Sequence, residues 1–375
     1  MKRLNHGIFI LVVLFFSGIR YTYGQKEIFE QAKAAMDEAK YEEALTLIDS
    51  SLAILPSWEE HYFYRSLILQ KLNRYGESLQ DINTFLTIHP ENAEANHNKA
   101  TVLSDLRRYD EALEFFEKAI TLKPNDEQYY GNAGIAAFDL QRFGLAEKYL
   151  KMSIAINPDV ALIHSYLGLL YILNQELRKA RLPLDRALNI DPNHYHANFH
   201  RGLYFRLSGH PDSAILDYQK ALTVKDHDYK LHSNICIAYL DLKMYDKALE
   251  SCNQSIALNG SLAEQFVNRG VAQLNLEEYD EALSDFNHAL TLDPNNIRAL
   301  LSKAKVYYKK DQLDLAIDAA HKAVTMNPNF ADARHLYGIL LIKKTGGKKG
   351  CDHIKIACEL HDQYACETLR NVCKK

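Results

Sequence analysis

The chain has 375 residues, of which 47% are hydrophobic and 25% are charged, and its formal net charge is −4 at pH 7. These proportions are ordinary for a soluble globular protein. A mildly acidic chain of this size is a poor candidate for binding nucleic acid or an anionic membrane, and we expect no nucleic-acid partner.

The first 24 residues have the pattern of a secretory signal peptide. Lys2 and Arg3 form a basic head, an apolar run follows over residues 8–16, and Gly24 marks a plausible cleavage end. A run this short favours a signal over a membrane span, which needs about 20 apolar residues. An uncleaved anchor or a buried helix is the alternative. We therefore predict export, with no stable membrane insertion after cleavage and with the bacterial periplasm or cell envelope favoured over an extracellular or endoplasmic-reticulum location.

Seven of the nine prolines share one spacing of 34 residues or a multiple of it, and only Pro183 and Pro211 fall outside it. This proline column comprises Pro56, Pro90, Pro124, Pro158, Pro192, Pro294 and Pro328. Repetition at a fixed period indicates a repeat architecture, and unrelated amphipathic helices would not place prolines this way. The step from Pro192 to Pro294 leaves two gaps, filled by Asp226 and Gly260.

Each 34-residue unit reads as a helix, a turn and a second helix. In the third unit, apolar residues at three- and four-residue spacing predict one helix before the turn at residues 106–110 and another after it. Proline disfavours helical conformation in the residue before it, so the second helix must end there. Asn, Asp or Ser beside the proline can then cap the next helix.

Small residues recur at two further repeat positions, where they allow helices to approach closely. The first set, the alanine column, is Ala44, Ser78, Ala112, Ala146, Ala180, Ala214, Ala248, Ala282 and Ala316. The second set, the first-helix small column, is Ala32, Ser66, Ala100, Gly134, Gly168, Gly202, Cys236, Gly270 and Ala304.

These positions resemble the tetratricopeptide repeat, a 34-residue helix–turn–helix with small residues at the helix crossings and a closing proline. The resemblance covers residues 25–343, as nine repeats plus one further helix, and implies an all-α, right-handed α-solenoid of about nine such units. Residues 1–24 are then the signal peptide and residues 344–375 a C-terminal helical cap. Pro183 predicts a kink or a late helix start. Asp226 and Gly260 predict local irregularity over residues 205–270.

Four of the six cysteines lie in the last 25 residues, separated by seven, eight and seven positions. Seven residues along a helix return to nearly the same face, so a helical hairpin folding at residues 361–363 would pair Cys358 with Cys366 and Cys351 with Cys373. Other connectivities stay open. The tight cysteine pairs of a zinc site are absent. Cys236 and Cys252 either pair or are simply buried.

The sequence contains none of the nucleophile-elbow, phosphate-loop, zinc-protease or dinucleotide-binding motifs. His196 and His200 are four residues apart and share a helix face, but no third metal ligand is evident. We therefore predict that the protein is not an enzyme and uses no metal and no cofactor.

In the tetratricopeptide family, first helices line a concave groove that receives an extended peptide or a partner's helix. The resemblance assigns these groove positions to Phe63, Tyr64, His97, Asn98, Asn132, Tyr166, Phe199, His200, Asn234 and Asn268. Asparagine offers both a donor and an acceptor to a peptide backbone, and aromatic side chains make good anchors. Alternatively, asparagine is simply common at this position, and some of the aromatic side chains pack between adjacent first helices.

These features predict a non-catalytic scaffold that binds a protein or an extended peptide in an exported compartment. Two alternatives remain at this point: an envelope carbohydrate-binding protein, and an accessory subunit of a transport or assembly complex that uses its outer surface. The sequence does not indicate the oligomeric state.

Overall fold

The computed structural model describes residues 26–54 and 58–373, which form twenty-one α-helices and no strand. The signal-peptide prediction for residues 1–24 and the proline at position 56 lie outside the described residues. The helices fall into two compact units that divide after Ile190.

The first unit contains ten helices, which are mostly 12–14 residues long. They are α1 (26–37), α2 (Tyr41–Ile54), α3 (Glu60–Lys71), α4 (Tyr75–Ile88), α5 (Ala93–Asp105), α6 (Tyr109–Leu122), α7 (Glu127–Asp139), α8 (Phe143–Ile156), α9 (Ala161–Leu173) and α10 (Leu177–Ile190).

The second unit contains the remaining helices of the described chain. They are α11 (Tyr195–Leu207), α12 (Pro211–Leu222), α13 (Tyr229–Asp241), α14 (Tyr245–Leu258), α15 (Ala263–Asn275), α16 (Tyr279–Leu292), α17 (Ile297–Lys309), α18 (Leu313–Met326), α19 (Ala331–Thr345), α20 (Lys348–Glu359) and α21 (Gln363–Val372).

Consecutive helices pack in pairs, and the small residues lie where the two helices of a pair meet. Each odd-numbered helix from α3 to α19 packs against the helix that follows it. A Cβ atom added to Gly168 would lie 2.5 Å from Leu184 Cγ, and one added to Gly202 would lie 2.5 Å from a ring carbon of Tyr218. These gaps leave no room for a side chain. A large residue on the second helix therefore requires a glycine at the facing position of the first helix. The predicted all-α fold of helix pairs is confirmed.

Within a pair, the turn contains a residue in left-handed conformation in each of the first nine repeats. These residues are Ala39, Asn73, Arg107, Gln141, Gln175, Gly209, Lys243, Glu277 and Asp311. The amide of the following residue then bonds back to the helix, as Arg108 does to the Leu103 carbonyl at 2.8 Å. Only one of the nine is glycine, so residue type did not reveal this position in the sequence.

Between repeats, side chains beside the proline column hold the turn. Asn92 and Asn296 accept hydrogen bonds from backbone amides three residues on, and Asp126 and Asp228 from amides two residues on, at the starts of their helices. These are the caps that the sequence predicted.

The expected irregularity at residues 205–270 is confined to one helix end. Helix α12 ends at Leu222, two residues earlier than its counterparts, but α13 and α14 begin in register with the other repeats. At Pro183 we expected a kink or a late helix start, and the late start is wrong, because α10 begins at Leu177 and continues through the proline. Leu184, Ala187 and Leu188 are buried on this helix, and their packing holds it in register.

The repeat also continues beyond the point where we expected it to stop. Helix α20 packs against α19 as the second helix of a tenth pair, and Gly350 takes the position of the alanine column. A Cβ atom on Gly338 would lie 2.7 Å from the Gly350 carbonyl oxygen and 2.6 Å from Ile354 Cγ1. Glycine in place of alanine hid this repeat in the sequence. Helix α21 then packs against α20.

None of the helices formed by residues 26–54 and 58–373 is long and apolar enough to cross a membrane.

Candidate functional site

A cavity of about 930 Å³ lies on the first-helix side of the first unit. It is lined by the C-terminal part of α3, by one face of α5 and by the segment leading into α7. Two of the predicted groove residues, His97 and Asn98, line it directly. We call this cavity, with its lining from α3, α5 and α7, the groove.

His97 links α5 to α7 within the groove. Its Nε2 atom lies 2.9 Å from Asn132 Nδ2, and its ring stacks on Tyr129 with centroids 4.6 Å apart. Burial lowers the pKa of His97 to about 4, so the imidazole is neutral near pH 7. Nε2 therefore accepts the hydrogen bond that the Asn132 amide donates. Two predicted groove residues from successive repeats are thus in direct contact.

Asn98 carries the unusual feature of the groove. Its side chain is only 3% exposed, and its Nδ2 donates a 2.7 Å hydrogen bond to Ser66 Oγ on α3. Its Oδ1 is buried and has no hydrogen-bond partner among the described residues. Leaving a buried acceptor unsatisfied costs about 1–3 kcal/mol, so a donor that reaches this oxygen would be favoured.

Charges of both signs surround the groove. Lys71, Glu94 and Asp105 are exposed on its walls. Gln70 Nε2 donates to Asp105 Oδ2 at 2.8 Å, and Lys123 Nζ lies 2.8 Å from a carboxylate oxygen of Asp126 at the start of α7. This mixture gives no preference for a strongly acidic or strongly basic ligand.

The aromatic residues predicted for the first unit pack mainly against other side chains. Phe63 is 8% exposed, and its ring lies 5.2 Å from that of Phe85. Tyr64 meets Phe63 edge to face at 5.5 Å. Tyr166 meets Phe138 in the same manner at 5.6 Å, and burial raises its pKa. Phe63 therefore packs within its own helix pair, against α4, whereas the alternative left open by the sequence was packing between adjacent first helices.

The predicted groove residues of the second unit make internal contacts. Phe199 packs near Tyr218, with ring centroids 6.0 Å apart, and His200 is 5% exposed. Asn234 Nδ2 donates to the Lys230 carbonyl of its own helix at 2.8 Å. Asn268 is buried and accepts from Arg298 Nη2 at 3.2 Å. A binding role for these four residues stays a prediction.

Sequence reasoning missed Thr101, which lines the groove one turn after Asn98 on α5. Its hydroxyl donates to the Asn98 carbonyl at 2.8 Å, which leaves the methyl group and one hydroxyl acceptor for the cavity. The three-residue spacing from Asn98 is the signal that would have found it.

All six cysteines are paired in the structure. Cys351 pairs with Cys373 and Cys358 with Cys366, with Cα separations of 5.6 and 4.6 Å, as the helical spacing predicted. Cys236 and Cys252 also pair across α13 and α14, at a Cα separation of 5.3 Å. For this last pair, the sequence had left pairing and simple burial open.

The part of the chain that the structure describes contains no group of three or more His, Cys, Asp or Glu side chains able to hold a metal ion. The rings of His196 and His200 face each other at 5.9 Å on α11 without such a third group.

Helix pairs repeated every 34 residues, with a cavity along successive first helices, define a helical repeat protein. Three family models described as tetratricopeptide repeat match the chain, the first at residues 93–126 and 263–296, the second at 132–195 and the third at 297–330. Together with the fold, these matches show that the chain belongs to the tetratricopeptide repeat family. Proteins built from this repeat are generally non-catalytic scaffolds suited to binding other proteins.

Solved structures with the same architecture include the APC/C hetero-tetramer Cut9–Hcn1, with a TM-score of 0.57 and 17% identity over 93% of this chain and 76% of that one. A monomeric mutant of IFIT1 with Gppp-AAAA has a TM-score of 0.52 and 14% identity over 89% and 90% of the two chains. PilW, a type IV pilus biogenesis factor, has a TM-score of 0.50 and 22% identity over 55% and 96%. At these identities the likeness concerns the fold alone. No curated protein sequence matches the chain significantly.

Proposed function

We propose that this protein is a non-catalytic scaffold that binds an extended segment of another protein in the groove formed by α3, α5 and α7. One observation carries the proposal: Asn98 lines the cavity beside the His97–Asn132 pair, and its buried Oδ1 has no hydrogen-bond partner among the described residues. A main-chain N–H of a bound peptide would satisfy this oxygen, and the neighbouring peptide carbonyls would meet the exposed Gln128 and Lys71.

The lining of the groove favours a peptide over a sugar. Sugar binding by stacking needs an exposed aromatic face, whereas Tyr129, the aromatic side chain in the lining, is 5% exposed and already covered by His97. The charges of both signs on the walls suit a peptide with mixed side chains. The net charge of −4 supports a protein partner over a nucleic acid.

We further propose that the chain works in an exported, oxidising compartment, with the bacterial periplasm or cell envelope preferred. Disulfides persist in such compartments and are rare where thiols are kept reduced. The three cysteine pairs and the signal-like first 24 residues support this location. Thiol labelling of protein collected from its native compartment, with and without reductant, tests it. Labelling of all six cysteines without reductant would contradict it.

A matched pair of arginine variants tests the groove. Thr101 and Thr121 each donate a 2.8 Å hydrogen bond to a carbonyl of their own helix, but Thr101 lines the groove and Thr121 is exposed on α6 outside it. Peptides would be selected from a random displayed library on the wild-type chain, and their affinities measured for Thr101→Arg and Thr121→Arg. We expect Thr101→Arg to weaken binding about tenfold or more, which is about 1.4 kcal/mol, and Thr121→Arg to leave it unchanged.

Equal affinity of the selected peptides for both variants would overturn the groove proposal and favour use of the outer surface. A parallel glycan array distinguishes the carbohydrate alternative. Glycan binding lost in Thr101→Arg, without peptide binding, would replace the peptide by a sugar as the ligand of the groove.

A further inference from the structure

The loop between α14 and α15 contains the single Asn-Gly dipeptide of the sequence, Asn259–Gly260. Residues 259–262 have no regular secondary structure, and Gly260 and Ser261 are exposed. Gly260 occupies the proline column, where it stands in place of the usual proline.

Five inter-repeat turns share one geometry at this place. In each, a side-chain oxygen of the residue before the proline column accepts a hydrogen bond from the amide two residues on, at 3.0–3.1 Å. The accepting residues are Asn157, Asp191, Asn259, Asp293 and Asn327. Only Asn259 is followed by a residue other than proline. The five turns therefore compare the same local structure with and without a backbone N–H on the residue that follows the asparagine or aspartate.

This N–H determines whether the asparagine can react, because the backbone nitrogen of the next residue can lose its proton and attack the side-chain carbonyl carbon. Proline has no N–H, so Asn157 and Asn327 lack this nucleophile. The Gly260 N–H makes no hydrogen bond within the described residues, and glycine has no Cβ to restrict the rotation that brings the nitrogen to the carbon. We propose that Asn259 is a site of spontaneous deamidation in the folded protein.

The reaction needs only water. The Gly260 nitrogen, on losing its proton, bonds to Asn259 Cγ, the Cγ–Nδ2 bond breaks, and Nδ2 leaves as ammonia with the proton it gains. Water then adds to either carbonyl of the five-membered succinimide. One opening gives aspartate and the other gives isoaspartate, and no oxidation state changes.

Ser261 assists the attack. Its backbone N–H and its hydroxyl both donate to Asn259 Oδ1, at 3.1 and 2.7 Å. This oxygen takes up negative charge when the nitrogen attacks Cγ, and two donors at these distances stabilise such an oxyanion. At Asn157 and Asn327 the turn supplies one such donor, the amide two residues on.

Deamidation changes the junction between two repeats. Asn259 is the C-terminal cap residue of α14, and a carboxylate there opposes the helix dipole. Isoaspartate also adds a methylene group to the main chain in the loop that leads into α15. The product is a more acidic chain with an altered α14–α15 turn.

The test is peptide mapping by mass spectrometry of the folded, full-length chain after incubation at neutral and mildly alkaline pH. We expect the amide-to-acid mass change at Asn259 to accumulate with time and to increase with pH, because the attacking nitrogen must lose a proton. Asn157 and Asn327 in the same digests serve as internal controls and should stay unmodified. Gly260→Pro restores the sequence of the other turns and should abolish the change, and Ser261→Ala should slow it.

Modification of Asn259 at the rate of Asn157 and Asn327, or its persistence in Gly260→Pro, would overturn the proposal. An unchanged or faster rate in Ser261→Ala would remove the role of Ser261. Circular dichroism of each variant before incubation establishes that the compared chains are folded.

Discussion

Two histidines occupy the same repeat position, seven 34-residue periods apart, and they mark two regions of different character. His97 on α5 reaches Asn132 on the next first helix and borders an open groove. His335 on α19 reaches Thr368 on α21 at 3.0 Å, and its Nδ1 lies 3.2 Å from a carboxylate oxygen of Asp362. Helix α21 therefore takes the place that the next first helix would take.

The same repeat position therefore has different surroundings in the groove and at the C-terminal end. In the groove, first helices are held by packing and by neutral hydrogen bonds, and polar side chains such as Gln128 stay exposed. At the C-terminal end, formed by α19–α21, the contacts of His335 with Thr368 and Asp362 and two disulfides hold the last helices, and α21 covers α19. The first region is open and the second is closed.

The largest expected effect concerns the cross-link at the C-terminal end. Replacing Cys351 and Cys373 by serine removes a link that spans 22 residues, and we expect the unfolding free energy of α20–α21 to fall by ~3.4 kcal/mol. Hydrogen exchange measured by mass spectrometry would show faster exchange in α20 and α21. Peptides from α5 and α7 serve as the control and should be unchanged. Equal protection of α21 with and without the link would contradict the closed character of this end.

The next effect concerns the neutral histidine of the groove. The pKa of His97 is lowered to about 4 in the folded chain, whereas the unfolded chain takes up this proton near pH 6.5. Between these values the unfolded state binds more protons, so stability falls as the pH falls. We expect a loss of ~3 kcal/mol between pH 7 and pH 4 from this residue. Urea unfolding at both pH values measures it, and His97→Gln should have a smaller loss. An identical pH dependence in the variant would refute this origin.

A smaller effect concerns glycines of the first-helix small column, whose replacement by alanine should lower stability by different amounts in the two regions. A Cβ atom on Gly338 would lie 2.7 Å from a backbone oxygen, whereas one on Gly134 would first meet side-chain atoms of Leu150 at 2.9 Å. Backbone cannot move aside as a side chain can, so Gly338→Ala should cost ~2 kcal/mol and more than Gly134→Ala. Gly144→Ala is the control, because no atom lies within 4 Å there, and it should stabilise α8 slightly. Thermal unfolding of the three variants gives the order.

The smallest effect concerns the left-handed residue of the turn within a pair. The turn after α19 uses Gly346, with φ of 62°, and the turn after α7 uses Gln141, with φ of 57°. Left-handed conformation costs a residue with a Cβ ~1 kcal/mol. Gly346→Ala should therefore destabilise the chain by about that amount, and Gln141→Gly should stabilise it or leave it unchanged. Denaturant midpoints measure both, and the same sign for both variants would show that other contacts dominate.

Periodicity made most of the fold predictable from the sequence. A helix end favours proline and a close helix crossing requires a small residue, so both features can be read from the residue types at fixed repeat positions. The seven-residue spacing of the cysteines likewise indicates that they share a helix face. Three features stayed hidden because their physical cause does not select one residue type. Position 350 has glycine where the alanine column predicts alanine. The left-handed turn residues are of many types. Helix α10 continues through Pro183 because its buried leucines and alanine pack against the neighbouring helices.

The site was less predictable than the fold. Sequence position placed His97 and Asn98 on the face of α5 that lines the cavity, but exposure depends on the neighbouring helices. Phe63 and His200 are 8% and 5% exposed, and Phe63 is covered in part by Phe85 of the following helix. Burial of this kind depends on contacts between helices, which a single sequence does not display.

The pairing of each helix with its immediate neighbours also affects how the chain folds during synthesis. The disulfides close loops of only 16, 22 and 8 residues, and from α3 onward each helix up to α20 packs mainly against the other helix of its own pair. Local contacts favour fast folding, and a repeat can form before its successors exist. The chain can therefore fold repeat by repeat from its N-terminus, with α21 arriving last to cover the final first helix and complete oxidation of the C-terminal end.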